Sequence, residues 1–294
     1  MGKKPDLFED ITARTIERIE LSLKGELNAP LFEIPWIGGG MPSNILTGVR
    51  YRGGNILLLW ASAMKNEYRS QKWMTFKQMM QYGSSIGAEL SVKGQKGTRI
   101  LKVITGKSEN EDGESKGWMT TRVYTVFNAD QIAGLPDNRP DTITEDDMIE
   151  GAQQFFDPIP AEMQHNPGQA YYSPGSDYVN MPPITDFLSI DGYYATLAHE
   201  FGHWTGHKSR LQRDMRGSFG SPDYAFEELV AELTATFTCA HLGIGNELRH
   251  VDYLQSWLRK LKDDTDFIRK AATKASDAFT LLDSYHREAT DAAA

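Results

Sequence analysis

A chain of 294 residues, 40% hydrophobic and 24% charged, has room for two cores and the ordinary composition of a soluble globular protein. No stretch approaches the ~18 uninterrupted apolar residues of a membrane helix, and the first residues lack an apolar signal region, so no membrane partner and a cytoplasmic location are expected. Cys239 is the only cysteine, which excludes an internal disulfide and any Cys-rich zinc module and leaves histidines and carboxylates to hold a metal.

The net charge of −9 hides an asymmetry. Residues 31 to 107 carry eleven Lys or Arg against Glu33, Glu67 and Glu89, a local +8, whereas residues 151 to 294 carry twelve against twenty acidic residues, a local −8. A basic segment in an acidic chain points to a polyanion partner for one half, with a solvated charged face as the plain alternative.

In chain order, Phe8, Ile11, Ile16, Ile19 and Leu23 mark an amphipathic helix over 7–24, stopped by Gly25 and Pro30. Residues 35–44, rich in Gly and Pro, read as loop, and an apolar run from Ile56 to Ala63 follows. Thr75 stands where it caps a helix reaching about Ser84. Residues 89–105 alternate as strands about the turn Lys93–Gly97; beyond a polar, acidic loop at 107–117, two more strand-like segments run from Trp118 to Thr121 and from Arg122 to Phe127. The Pro- and Asp-rich stretch 136–143 reads as a linker between a unit over 1–135 and another over 144–294.

The second unit is expected to open with a helix over 145–156, with Thr144 and Asp147 in capping-box positions. Tyr178-Val179-Asn180 reads as a short strand, which Pro182 and Pro183 assign to a sheet edge. Helices should then run from Ile190 to Thr205, from a Ser221-Pro222 start to Gly243, and over the chain after Asn246. The fold class is α+β: a mixed α/β unit followed by a mainly helical unit with a small sheet.

The element from Ile190 to Thr205 contains His199-Glu200-x-x-His203. On a helix the two imidazoles lie one turn apart on one face, where both reach one ion while Glu200 lies beside its open position. A catalytic zinc takes three protein ligands and a water, so a third is needed. Ser209 stands where a metzincin would place it, and His207 lies another turn beyond His203 if the helix continues. The next helix offers Glu227, Glu228 and Glu232. Glu228 and Glu232 are four apart and share a face, so Glu228 is expected as third ligand and Glu232 as the group that fixes a ligand imidazole, with Glu227 pointing elsewhere. Glu200 is then the base of an amide hydrolysis. A purely structural ion is the competing reading.

From Trp36 to Phe127 aromatic and basic residues interleave, the mixture that holds single-stranded nucleic acid through phosphate contacts and base stacking. The expected contacts are Arg50, Tyr51, Arg52, Lys72, Trp73, Lys93, Lys96 and Arg99, and Lys102, Trp118, Arg122 and Tyr124 belong to the same interleaving. Aromatics at this spacing also build cores.

Several stretches occur together in one order: Asn44-x-x-Thr47-Gly48-x-x-Tyr51-Arg52-Gly53-x-Asn55, Lys93-Gly94-x-Lys96-Gly97, Val126-Phe127-Asn128-x-Asp130-Gln131, Tyr178-Val179-Asn180-Met181-Pro182, the segment Tyr193–His203, and Glu227-Glu228-Leu229-x-Ala231-Glu232. Across nearly the whole chain they resemble the ArdC family of antirestriction proteins of conjugative plasmids. The resemblance implies an N-terminal single-stranded-DNA-binding domain and a zincin-like metallopeptidase domain that together protect incoming plasmid DNA from host restriction enzymes. It implies His199, His203 and Glu228 as metal residues and Glu200 as base. The expected cofactor is one divalent ion, zinc with manganese as alternative. The expected partners are single-stranded DNA and a host restriction protein or other protein substrate. Two other readings compete: a stand-alone cytosolic zinc metallopeptidase, and a DNA-replication accessory protein with a non-catalytic zincin domain.

Overall fold

The computed structural model describes residues 7–27, 31–32, 40–109, 115–136, 145–215, 222–245, 254–264 and 266–293. The expected linker beyond Pro136, the Thr144 and Ser221 caps and most of the 35–44 loop lie outside these residues. The chain forms two compact units: residues 1–7, 42–51 and 55–139 make the first, and residues 8–41, 52–54 and 140–294 the second. Helix α1 (Glu9–Leu23), which buries Ile11 and Ile19, therefore belongs with the C-terminal half rather than with the basic residues it precedes.

The first unit contains β1 (Ser43–Asn44), α2 (Gly54–Lys65), β2 (Lys72–Thr75), α3 (Phe76–Ile86), β3 (Thr98–Glu109) and β4 (Ser115–Asn128). The sheet order is β1-β2-β4-β3, parallel at β1–β2 and antiparallel elsewhere. Side chains alternate across a strand, so Trp73, Ile100 and Val126 meet Leu59 and Ala63 of α2 on one face, while Met74 meets Met79 of α3 on the other. Thr75 caps α3 as expected: its hydroxyl accepts from Gln78 N, its own N–H donates to Gln78 Oε1 at 3.0 Å, and Gly87 ends the helix at φ 67°.

Two strand expectations change. The segments 118–121 and 122–127 are one strand, paired without interruption from Thr98↔Val126 to Glu109↔Ser115, so residues 107–109 and 115–117 of the expected loop are ladder. The neighbouring rungs of the ladder meet water on both faces, Met119 on one being 74% and Trp118 on the other 45% exposed, so the alternation that marks a half-buried strand is absent. The Lys93–Gly97 turn does not join two long strands, since residues 89–92 contribute a single bridge, Ser91↔Ala133.

The second unit contains α4 (Glu145–Phe156), β5 (Glu162–Gln164), β6 (Tyr171–Ser173), β7 (Tyr178–Asn180), α5 (Ile190–Thr205), α6 (Pro222–Leu242), α7 (Leu254–Asp263) and α8 (Asp266–Ala293). The small sheet has the order β5-β7-β6, so β7 is central and not an edge strand. Pro182 and Pro183 follow the last ladder residue, Asn180, and remove no bond from it. Helix α6 is the core, buried from Leu229 to Ala240, and each large apolar side chain there contributes roughly 1.5–3 kcal/mol. Its buried threonines 234, 236 and 238 donate to the carbonyls of Val230, Glu232 and Thr234 at 2.7–2.9 Å, which removes the cost of burying a hydroxyl. Among the described residues no helix is long and apolar enough to cross a membrane.

Candidate functional site

Ser189 opens α5 by accepting from Gly192 N at 3.0 Å, and the helix carries His199, Glu200 and His203, with the first two buried. Gly202, one residue before His203, sets how closely α6 can lie. A Cβ there would stand 3.0 Å from Ala231 Cα and 3.3 Å from Thr234 Cβ, so glycine permits the close crossing. That crossing carries Glu228 to the two imidazoles.

His199 Nε2 and His203 Nε2 are 3.2 Å apart, and the Glu228 carboxylate spans them, with Oε2 3.5 Å from His199 Nε2 and Oε1 3.5 Å from His203 Nε2. Donor atoms of these three residues all lie within 4.8 Å of one another. Nitrogens bound at ~2.0–2.1 Å to a tetrahedral zinc stand about 3.3 Å apart, so the residues fit one small divalent ion. The outer nitrogens also face carboxylates, of which only Glu227 comes within hydrogen-bond distance. Glu232 Oε2 is 3.8 Å from His199 Nδ1, and Glu227 Oε1 is 3.3 Å from His203 Nδ1.

Glu227 thus corrects the sequence expectation: it does not point elsewhere but braces the second histidine from behind. Arg213 holds it there, donating through Nε and Nη2 to its two oxygens at 2.9 and 2.7 Å, and through Nη1 and Nη2 to Thr205 Oγ1 and Gly202 O. Glu227 and Glu228 are adjacent on α6, yet both reach His203 because an imidazole offers a nitrogen on either side. Arg213 lies in the irregular segment after α5, where no periodicity marks it and nothing in the sequence sets it apart from the neighbouring Arg210 and Arg216.

Although burial opposes the charge, the hydrogen bonds that His203 donates to Glu227 and Glu228 raise its pKa to about 10. Burial is opposed likewise at Glu227, where Arg213 and His203 hold the carboxyl below its usual range, and at Glu228, where His199 and His203 do so. Burial, reinforced by the Glu228 charge, pushes Glu232 up to about 7. His207 stays out of the group because α5 ends at Thr205; its ring meets Ser209 Oγ at 2.7 Å and Asp177 Oδ2 at 3.5 Å. Arg210 ties the same segment to the sheet, pairing with Asp177 and stacking 3.8 Å over the Trp204 ring.

Residues 5–127 match the model of the N-terminal domain of anti-restriction factor ArdC, and residues 150–274 that of a zincin-like metallopeptidase. The chain superposes over 97% of its length on the metal-free crystal structure of the antirestriction protein ArdC from plasmid R388, covering 99% of that chain at 40% identity and a TM-score of 0.75. The chain belongs to the ArdC family. The Mn(II)-bound structure of R388 ArdC matches with a TM-score of 0.70 at 40% identity, over 96% of this chain and 98% of that one. Protein y4eC of Sinorhizobium fredii is 34% identical over 98% of this chain and 94% of its own length. The DNA primase TraC of Escherichia coli is 34% identical over 94% of this chain, which spans 20% of that primase.

In the ArdC-type N-terminal unit, the eight expected DNA contacts do not share one face. Trp73 is corrected: it is fully buried, edge-on to Tyr68 at 5.9 Å, and offers no ring face to a base. Arg50 and Tyr51 line a cavity beside the sheet. Arg52 is exposed and Lys72 half-buried. Lys93, Lys96 and Arg99 are exposed, and Arg99 points to the face opposite Ile100 and Lys102 because successive strand residues alternate.

Proposed function

We propose that this ArdC-family chain binds single-stranded DNA through its first unit, within residues 1–135, and carries a divalent-metal peptidase centre within residues 144–294, protecting incoming plasmid DNA from restriction in the cytoplasm of the recipient. The observation that carries the reading is the convergence of His199, His203 and Glu228 on one point, with a buried glutamate, Glu200, next to the first of them. The imidazole-rich donor set favours zinc, and manganese, the ion of the R388 structure, is the competitor. When bound, the ion lowers the pKa of its water and polarises a carbonyl.

The chain's own residues do the rest. Glu200 accepts the proton of the attacking water and delivers it to the leaving amine. Glu227 hydrogen-bonds the outer nitrogen of His203, fixing its tautomer and ring orientation so that its Nε2 lone pair faces inward, and Glu232, 3.8 Å from the outer nitrogen of His199, is the carboxylate placed to do the same there once the ion is bound. Arg213 neutralises Glu227, which would otherwise be a buried unpaired charge. The exposed cations of the first unit, Lys93, Lys96 and Arg99, contact phosphates, and a restriction protein met at the DNA is the peptide substrate.

An antirestriction assay in recipient cells, wild type against Glu200→Gln at equal protein levels, tests the peptidase half. Protection should be lost while oligonucleotide affinity stays intact; full protection by the variant would remove hydrolysis from the mechanism.

A further inference from the structure

The cavity that Arg50 and Tyr51 line measures about 360 Å³ and lies wholly within the first unit. Tyr51 and Tyr124 line it and pack against the cluster of Leu59, Trp73, Ile100 and Val126, so two aromatic side chains are held in place at its wall. Lys102 Nζ stands 5.9 Å from the Tyr124 ring centroid.

The rim is polar, and its polarity is fixed. Asn44 Oδ1 accepts from the backbone N–H groups of Leu46 and Thr47, both at 3.1 Å, which turns Asn44 Nδ2 toward the Tyr51 hydroxyl at 3.3 Å and Gln78 Oε1 at 3.1 Å. Gln78 Oε1 also accepts from the Thr75 N–H at 3.0 Å. A backbone N–H cannot become an acceptor, so neither amide can flip without stranding one. The amide oxygens are therefore spent inside the network. What remains for a ligand are donors: the Tyr51 O–H, the Gln78 Nε2 hydrogen that is not directed to Asn44 Oδ1 (3.5 Å), and the Lys102 ammonium. Burial raises Tyr51, so its proton stays on.

A wall of aromatic rings with a donor rim suits a flat ligand whose edge carries acceptors. The sheet continues the same face outward. In the ladder Ile100 pairs with Tyr124, Lys102 with Arg122 and Gly106 with Trp118, at even spacing and hence on one side. The Trp118 indole lies over Gly106, where a Cβ would approach its ring to 2.5 Å, and the side chain is 45% exposed. At ~3.4 Å per residue, Tyr124 and Trp118 are about 20 Å apart with two cations between them.

We propose that the cavity captures one unstacked base of single-stranded DNA and prefers a carbonyl-bearing base such as thymine to adenine, with Lys102 and Arg122 on the following phosphates and Trp118 stacking a second base. This rests on the single-stranded-DNA reading of the first unit and adds a site and a preference to it. Adenine's only exocyclic group is an amino donor, leaving ring nitrogens as its acceptors, whereas thymine presents two exocyclic carbonyl oxygens, one on each side of its N3–H, to a rim of donors.

The test is fluorescence anisotropy of the full chain with short oligothymidylate, oligoadenylate and an abasic strand of equal length. Tyr51→Phe, which keeps the ring and removes the donor, should weaken oligothymidylate binding roughly fivefold, about one hydrogen bond, and leave oligoadenylate unchanged. Lys102→Ala and Arg122→Ala should weaken both strands alike and lower the salt dependence, and the abasic strand should lose the preference altogether. Oligothymidylate affinity unchanged in both Tyr51→Phe and Tyr124→Ala would overturn the base pocket while leaving the DNA reading standing. Failure of the wild type to bind any strand would overturn the DNA reading itself.

Discussion

His203 lies between two carboxylates, Glu227 at Nδ1 and Glu228 at Nε2, and this arrangement makes ion binding a proton exchange. Its folded-state pKa is raised to about 10, so the proton's stabilising effect on the ion-free chain is fully present below the unfolded value of ~6.5 and is lost as pH rises through about 10. At neutral pH an incoming ion must displace that proton. Calorimetry in buffers of different ionisation enthalpy should show about one proton released per ion and an affinity that climbs with pH toward 10; no released proton would mean that His203 is already neutral in the ion-free chain. Glu227→Gln should weaken metal binding roughly 10- to 100-fold, less than Glu228→Ala, and equal losses would put Glu227 in direct contact with the ion. The His-Glu-x-x-His spacing and the four-residue step from Glu228 to Glu232 were legible because both follow the helical period. The bracing role of Glu227 was not, because it depends on which way a histidine ring turns.

At the scale of elements, the crossing of α5 over α6 decides the site. Gly202→Ala puts a Cβ at 3.0 Å from Ala231 Cα and should destabilise the chain by ~1–3 kcal/mol, read as a lower midpoint in urea, and loosen metal binding with it. An unchanged midpoint would show that the helices yield freely there. Helix α1 makes a second case. Ile19 is fully buried and α1 packs against α7, so Ile19→Ala should cost ~2–5 kcal/mol in the metallopeptidase unit. Helix boundaries such as Ile190–Thr205 could be read almost residue by residue from caps and periodicity. The β3–β4 ladder was under-read where neither face is buried, and β7 was read as an edge because prolines just beyond a strand look, in sequence, like prolines within it.

For the whole molecule, the opposite charges of the two halves were visible at once, and they suit the proposed division in which one part would meet phosphates and the other hold a cation. The order of motifs along the chain carried the family, whereas the grouping of α1 with the C-terminal unit is a long-range packing fact without a local signal. Oligonucleotide affinity should fall steeply with salt, and Glu200→Gln should leave that fall unchanged, since Glu200 is not among the expected DNA contacts. The most direct test of the account is the metal content of the purified chain after saturation with zinc or manganese, compared with that of Glu228→Ala. The account predicts one tightly held ion per chain in the wild type and loss of most of it in the variant, with oligonucleotide binding preserved. Full occupancy in Glu228→Ala, or none in the wild type, would contradict it.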